Sequence, residues 1–247
     1  MVYTADWIDE LSNKYRLSEQ VIREEVEKAL SAVLTKRFGF EVEAIFDRDL
    51  ELWGYKERHG DIKSVQIKPE QIKKGLMREI KYSIANTLLA RSVMEDYELH
   101  KHKVKTVVYG TVIRQKPEDK SVYVYIQDIE SRYNDNNIVA VMNWVHQTPK
   151  ERGQYVEGQV LPFYVLSIKP LLFQGVPRLE VNLSRNSKGL TEGLFKKELI
   201  RSNLDIKVSC TRRVAGAFSE IKASDRIYRD CIKKVSDELK ERIIVRF

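Results

Sequence analysis

Two tyrosines at alternate positions of a strand-like run are the side chains of this sequence best suited to chemistry, and that chemistry is binding. Tyr123 and Tyr125 alternate with Val122, Val124 and Ile126. Because successive side chains of a strand point to opposite faces, the aliphatic residues predict an inner face and the tyrosines an outer one. Exposed aromatic rings stack on the bases of single-stranded nucleic acids. We therefore expect both tyrosines to be RNA-binding residues.

Two further pairs extend the predicted RNA-binding surface. Trp144 and His146 share one face of a third strand-like run, and Arg178 and Arg185 lie on a fifth run. Arginines along a groove suit a phosphate backbone. The alternative for each aromatic is a place in the interior, since a small barrel fills its core with large side chains. The sequence leaves that alternative open, most clearly for Trp144.

Positive charge is concentrated near the end of the chain, where Arg212 and Arg213 are predicted to lie at a turn between two strands. The net charge of the chain is +7. The segment from Leu190 to Phe247 contains fourteen lysines and arginines and nine acidic residues, so its net charge of +5 accounts for most of that total. Such an excess favours a polyanion partner. The alternative for the two arginines is a solvated hairpin tip without a ligand.

Nothing in the sequence has the spacing of a catalytic or metal-binding motif. There is no phosphate-binding glycine-rich loop, no CxxC pair and no metal-ligand spacing. We predict a protein that is not an enzyme, with no catalytic residue, metal ligand or cofactor, and with reduced, buried thiols. The residues considered are four histidines and two cysteines: His59, His100, His102, His146, Cys210 and Cys231.

The first hundred residues predict an α+β domain. Ser18 can cap a helix whose apolar residues repeat at helical spacing, and Gly39 follows its end. The predicted elements are a helix from 18 to 38, strands at 40–46 and 50–55 joined by a turn at 47–49, and a long helix that begins at Pro69.

The next eighty residues predict a closed, five-stranded OB-fold barrel. Short strands separated by turn residues, as at 117–120 and 134–137, are typical of this architecture. The expected strands are Thr106–Arg114, Ser121–Asp128, Ile138–Trp144, Gln159–Ile168 and Arg178–Leu183.

The last sixty residues predict a third, smaller α+β domain. Its expected order is a helix at 190–199, two strands, a helix at 225–240 and a final strand at 241–247. The fold class is therefore multi-domain α+β, with domains at 1–103, 104–187 and 188–247. No apolar run approaches the roughly 20 residues that span a bilayer, and the N-terminus has no secretion pattern. We expect a cytoplasmic protein without a membrane partner.

The junction between barrel and third domain carries a family resemblance. Leu183-Ser-Arg185 is followed by Leu190 and by Leu194-Phe195, and Val156-Glu-Gly158 precedes the fourth strand. This order resembles the NusA family of bacterial transcription elongation and termination factors. The resemblance implies an N-terminal domain that binds RNA polymerase, a barrel that binds RNA, and a KH domain. It implies a factor that modulates pausing, termination or antitermination.

The sequence departs from that family in its last domain. A KH domain grips the nucleic-acid backbone with a GxxG loop, and no GxxG occurs in this chain. We therefore expect a reduced, KH-like domain. Two other functions stay open: an RNA-binding protein of translation or ribosome assembly without polymerase contact, and an accessory subunit of a transcription complex that uses the KH-like domain as a protein interface.

Overall fold

The computed structural model describes residues 5–46, 50–58, 61–68, 72–129 and 138–247. The predicted turns at 47–49 and 134–137, Pro69 and His59 lie outside these residues. The chain is mixed α+β and divides into two compact units. The first contains the described residues up to Asp96 together with Leu172–Arg178, and the second contains the other described residues.

The first unit packs helices on one face of a three-stranded antiparallel sheet. Ser18 accepts a hydrogen bond from the Val21 N–H and so caps the second helix, and Gly39 ends it with a left-handed φ of 73°. The predicted helix, both predicted strands and the long helix are confirmed, whereas the first helix and third strand were not predicted. The elements are α1 Ala5–Tyr15, α2 Glu19–Phe38, β1 Glu41–Phe46, β2 Leu50–Arg58, β3 Asp61–Gln66 and α3 Lys74–His100.

The second unit contains a closed five-stranded barrel, as the sequence predicted, except that the tip of β7 and β8 at Leu172–Arg178 belongs to the first unit. Its strand order is β4-β5-β6-β8-β7, and β6 and β8 run parallel, which is compatible with an OB-like barrel. Val124, Met142 and Phe163 fill its interior. The strands are β4 Val107–Gln115, β5 Val122–Ile126, β6 Ile138–Met142, β7 Val160–Phe173 and β8 Val176–Ser184.

Several strand boundaries differ from the prediction, among them the ends of β6 and β7. β6 ends at Met142, and Trp144–His146 forms a 3-10 turn instead of continuing the strand. Met142 pairs with Val122, the first residue of β5, so the β5–β6 ladder ends there. β7 instead continues five residues past Ile168, to Phe173.

The C-terminal segment of the second unit has the predicted helix-strand-strand-helix-strand order. Its sheet order is β11-β10-β9, with β9 antiparallel and β11 parallel to β10. Arg212 and Arg213 lie within β9 and not at the following turn, which corrects that prediction. The elements are α4 Lys188–Arg201, β9 Val208–Val214, β10 Phe218–Ala223, α5 Arg229–Leu239 and β11 Arg242–Arg246.

Two glycines let α4 pack directly on the barrel. A Cβ atom on Gly193 would lie 2.2 Å from Cγ2 of Val107 on β4, and one on Gly189 would lie 2.2 Å from the ring of Tyr164 on β7. Any larger residue at either position would push the helix away from the barrel. Because Val107 also belongs to the apolar core of the C-terminal segment, that segment and the barrel are packed together.

Candidate nucleic-acid interface

The outer face of β5 presents Tyr123 between two cations. Tyr123 is half-buried and pairs with Arg114 across the β4–β5 ladder. The guanidinium carbon of Arg114 lies 5.1 Å from the ring centre, and Nζ of Lys116 lies 5.3 Å from it. A hydrogen bond with Tyr123 raises the pKa of the Lys116 ammonium above its usual value. The tyrosine therefore sits in a positive environment at the end of the hairpin.

Trp144 has the same arrangement on the neighbouring 3-10 turn. Nζ of Lys120 lies 5.5 Å from its ring centre, and the guanidinium carbon of Arg152 lies 4.8 Å from it. The buried amide of Gln147 donates to the Lys120 carbonyl at 2.7 Å and to the Met142 carbonyl at 3.4 Å, which ties the β4–β5 turn to the end of β6. One turn thus supplies a lysine to each ring.

These six side chains form what we call the cationic aromatic patch: Tyr123, Trp144, Arg114, Lys116, Lys120 and Arg152. Aromatic rings and guanidinium planes both stack on unpaired bases, and ammonium and guanidinium groups contact phosphates. Nε of Arg152 is buried and has no hydrogen-bond acceptor among the described residues. The patch therefore offers stacking surfaces and positive charge, which together suit a single-stranded nucleic acid.

Three other predicted residues lie outside the patch. Tyr125 is 41% exposed on the outer face of β5, opposite Thr111. His146 is half-buried, and its backbone carbonyl accepts the Arg185 N–H at 2.9 Å. Arg178 is half-buried with its guanidinium carbon 4.8 Å from the ring centre of Phe173. All three stay candidates: Tyr125 and His146 lie on the elements that carry Tyr123 and Trp144, and Arg178 belongs to the first unit.

Arg185 is not a surface residue, which corrects its predicted role. It is 1% exposed, and its Nε and Nη2 donate to the two carboxylate oxygens of Glu151, each at 2.7 Å. Nη1 donates to the Pro162 carbonyl at 2.8 Å. Burial raises the pKa of Glu151, but the hydrogen bonds and charge of Arg185 outweigh it and hold that pKa below its usual value. Arg185 therefore ties Glu151 to the barrel, and its guanidinium is not accessible to RNA in this arrangement.

Arg213 is also buried, whereas its neighbour Arg212 is exposed. The Arg213 side chain is 1% exposed and pairs with Glu241 at 2.7 Å. Arg212 points to the opposite face of β9, with its guanidinium carbon 5.4 Å from the ring centre of Phe218. Only Arg212 of the predicted pair can contact a ligand as the segment is folded.

The four cations of the patch were not predicted from the sequence. Arg114 and Lys116 are two residues apart, at the end of a predicted strand and beside a predicted turn. A hairpin at that turn would have predicted that both lie close to the next strand, which carries Tyr123. Arg152 gave no signal, because its contact with Trp144 depends on how the segment after the 3-10 turn folds back.

No protein-family model matches the chain, and no curated protein matches it.

Across the described residues, no group of three or more His, Cys, Asp or Glu side chains could hold a metal ion. Cys210 and Cys231 are buried and free, and burial raises the pKa of the Cys210 thiol. No helix in the described ranges is long and apolar enough to cross a membrane.

Proposed function

We propose that this protein is a NusA-like transcription factor that binds RNA polymerase and nascent single-stranded RNA and modulates pausing, termination or antitermination. The observation that carries the RNA-binding part is the cationic aromatic patch, in which Tyr123 and Trp144 each stand between two cations. A cytoplasmic location follows from this proposal.

The proposal assigns one role to each domain. The barrel acts as an OB fold, and the strands and turns that carry the patch face the RNA. The helix-strand-strand-helix-strand segment acts as a KH-like domain that lacks the GxxG grip. The α+β domain at the N-terminus binds polymerase, a role that rests on the family resemblance alone.

Removing both rings of the patch should weaken RNA binding strongly. We expect Tyr123→Ala with Trp144→Ala to lower the affinity for a 20-nucleotide oligouridylate by roughly 30-fold or more, since each of the two base–aromatic stacks contributes about 1–3 kcal/mol. Fluorescence anisotropy at 0.1 M salt measures the change.

Trp53→Ala with Tyr82→Ala is the matched control, because it removes the same ring types from the first unit. Both variants should keep the circular dichroism spectrum of the parent. Equal affinity of the patch variant and the parent would refute RNA binding through the patch.

Capture of core RNA polymerase separates the proposed function from its alternatives. We expect the tagged full chain to retain polymerase, and the patch variant to retain it equally, since the polymerase contact is assigned to the first domain. A chain without residues 1–96 should retain none. If the full chain captures ribosomal particles and no polymerase, the role in translation or ribosome assembly replaces the proposed one. Polymerase capture combined with RNA affinity that the patch variant leaves unchanged would favour the accessory subunit.

A further inference from the structure

The sheet of the C-terminal segment has one packed face and one open face. Cys210, Ile221 and Val245 point toward α4 and α5 and join the apolar core. Strand alternation and the pairing register place the alternate residues of β9, β10 and β11 on the open face, where each of them is exposed or half-exposed. The open face consists of Ser209, Arg212, Val214, Phe218, Glu220, Lys222, Arg242, Ile244 and Arg246.

The open face carries a surplus of positive charge. Arg212, Lys222, Arg242 and Arg246 are all exposed, and Glu220 is the one acidic residue among the nine. Glu220 lies 3.6 Å from Arg246, whose side chain is 70% exposed, so it offsets one charge at most. On the helical side, by contrast, two cations already share a carboxylate: Arg201 and Lys234 pair with Glu198 at 2.7 and 3.2 Å.

The register sets Arg212 opposite Glu220 in the β9–β10 ladder, but it also puts two like charges beside each other. Lys222 and Arg246 are partners in the parallel β10–β11 ladder. Neighbouring like charges in a sheet destabilise it, and a bound anion relieves that repulsion. Arg212 is held over the ring of Phe218, which keeps its planar donors at the surface. These features favour an extended anion that touches several strands.

We propose that this open face binds the phosphate backbone of a single-stranded nucleic acid. The proposal goes beyond the barrel patch, because the two surfaces use different residues and different chemistry. The patch offers rings and guanidinium planes to bases, whereas the open face offers four cations on three strands to phosphates. The face thereby supplies the backbone contacts that a KH domain normally makes with its GxxG loop.

Neutralising two cations of the face tests the proposal. In the full chain, Lys222→Gln with Arg242→Gln should lower the affinity for a labelled 20-nucleotide oligouridylate roughly 10- to 30-fold at 0.1 M salt. The slope of log affinity against log salt should fall by about 1.4, since each lost phosphate contact removes about 0.7. A 20-unit abasic deoxyribose phosphate should lose affinity to a similar extent, because the contacts do not involve bases.

Lys196→Gln with Lys233→Gln is the matched control, since it removes the same charge from exposed lysines of α4 and α5. We expect this control to leave the affinity within about twofold of the parent. Equal losses in the two variants, or a loss confined to the oligouridylate, would overturn the proposal. The patch variant should lose the oligouridylate and keep the abasic polymer, so failure of the patch and failure of the open face give different results.

Discussion

Replacing Glu241 by glutamine should destabilise the second unit by about 3–5 kcal/mol. The Glu241 carboxylate accepts hydrogen bonds from Nη2 of Arg213 at 2.7 Å, from the Gly216 N–H at 2.8 Å and from the Ser219 hydroxyl at 2.8 Å. The side chains of Arg213 and Glu241 are 1% and 0% exposed. Arg213 also donates to the Ser187 carbonyl, so the network joins the sheet to the start of α4.

The size of this effect comes from the partner that is left behind. A glutamine keeps the shape of Glu241 but turns one acceptor oxygen into a donor and removes the charge that compensates the buried guanidinium. An uncompensated buried charge costs far more than the intact pair contributes. The loss should therefore exceed that of any exposed ion pair in the chain's described part.

Urea unfolding followed by the fluorescence of Trp144 measures this loss, in a background where Trp7 and Trp53 are replaced by phenylalanine. Glu220→Gln is the matched control, because the same change on the open face breaks only the pair with exposed Arg246 and should cost less than about 1 kcal/mol. A loss below 1 kcal/mol for Glu241→Gln would contradict the structural role of the pair.

Replacing Arg185 by methionine should cost about 3 kcal/mol at pH 7 and should cost less as the pH falls. In the parent, the pKa of Glu151 is held below its usual value. A lowered native pKa stabilises the fold above the usual pKa of about 4.3, and this contribution is lost as the pH falls through the native value. Without Arg185, burial, the largest influence on this pKa, is opposed only by the hydrogen bonds of Tyr155 and Thr148, so we expect the pKa of Glu151 to rise above its usual value.

The sign of the pH effect then reverses in the variant. A raised native pKa means that ionised Glu151 opposes folding at pH 7, and protonation relieves this as the pH falls. Glu238, whose pKa burial already raises, loses the same nearby cation and shifts in the same direction. The difference in unfolding free energy between parent and variant should be largest near pH 7 and smallest near pH 4.

Urea titrations at pH 7, 5.5 and 4 test this prediction. Arg185→Met with Glu151→Leu is the informative control, because replacing both members of a buried pair by apolar residues often restores stability. We expect the double variant to recover most of the loss and its pH dependence. A difference that stays constant from pH 7 to pH 4 would contradict the assignment.

Periodicity predicted the barrel and the C-terminal element order because both depend on local alternation. β5 and β10 each put aliphatic residues on one face, and α5 repeats its buried residues at helical spacing. The pattern failed for β3, whose six residues are all exposed and so carry no alternation. For α1 a signal was present, since Ile8, Leu11 and Tyr15 are three and four residues apart.

Local sequence patterns do not distinguish arginines at the surface from arginines in the interior. Arg178 and Arg185 look equivalent along the chain, yet Arg185 is buried because Glu151, thirty-four residues earlier, supplies its partner. Arg212 and Arg213 are adjacent, and only Arg213 meets Glu241, twenty-eight residues later. Such pairs depend on tertiary contacts that no local pattern contains.

The close approach of Gly189 and Gly193 to the barrel has a consequence for how a ligand is held. With no room for a hinge between α4 and the barrel, the cationic aromatic patch and the open sheet face belong to one bivalent body of preset geometry. Once a single-stranded nucleic acid occupies one of these proposed surfaces, its binding to the other surface is intramolecular. The effective concentration for that second contact depends on the number of nucleotides between the two surfaces. The second unit would then select nucleic acids by length. A nucleic acid long enough to contact both surfaces gains avidity, and a shorter one does not.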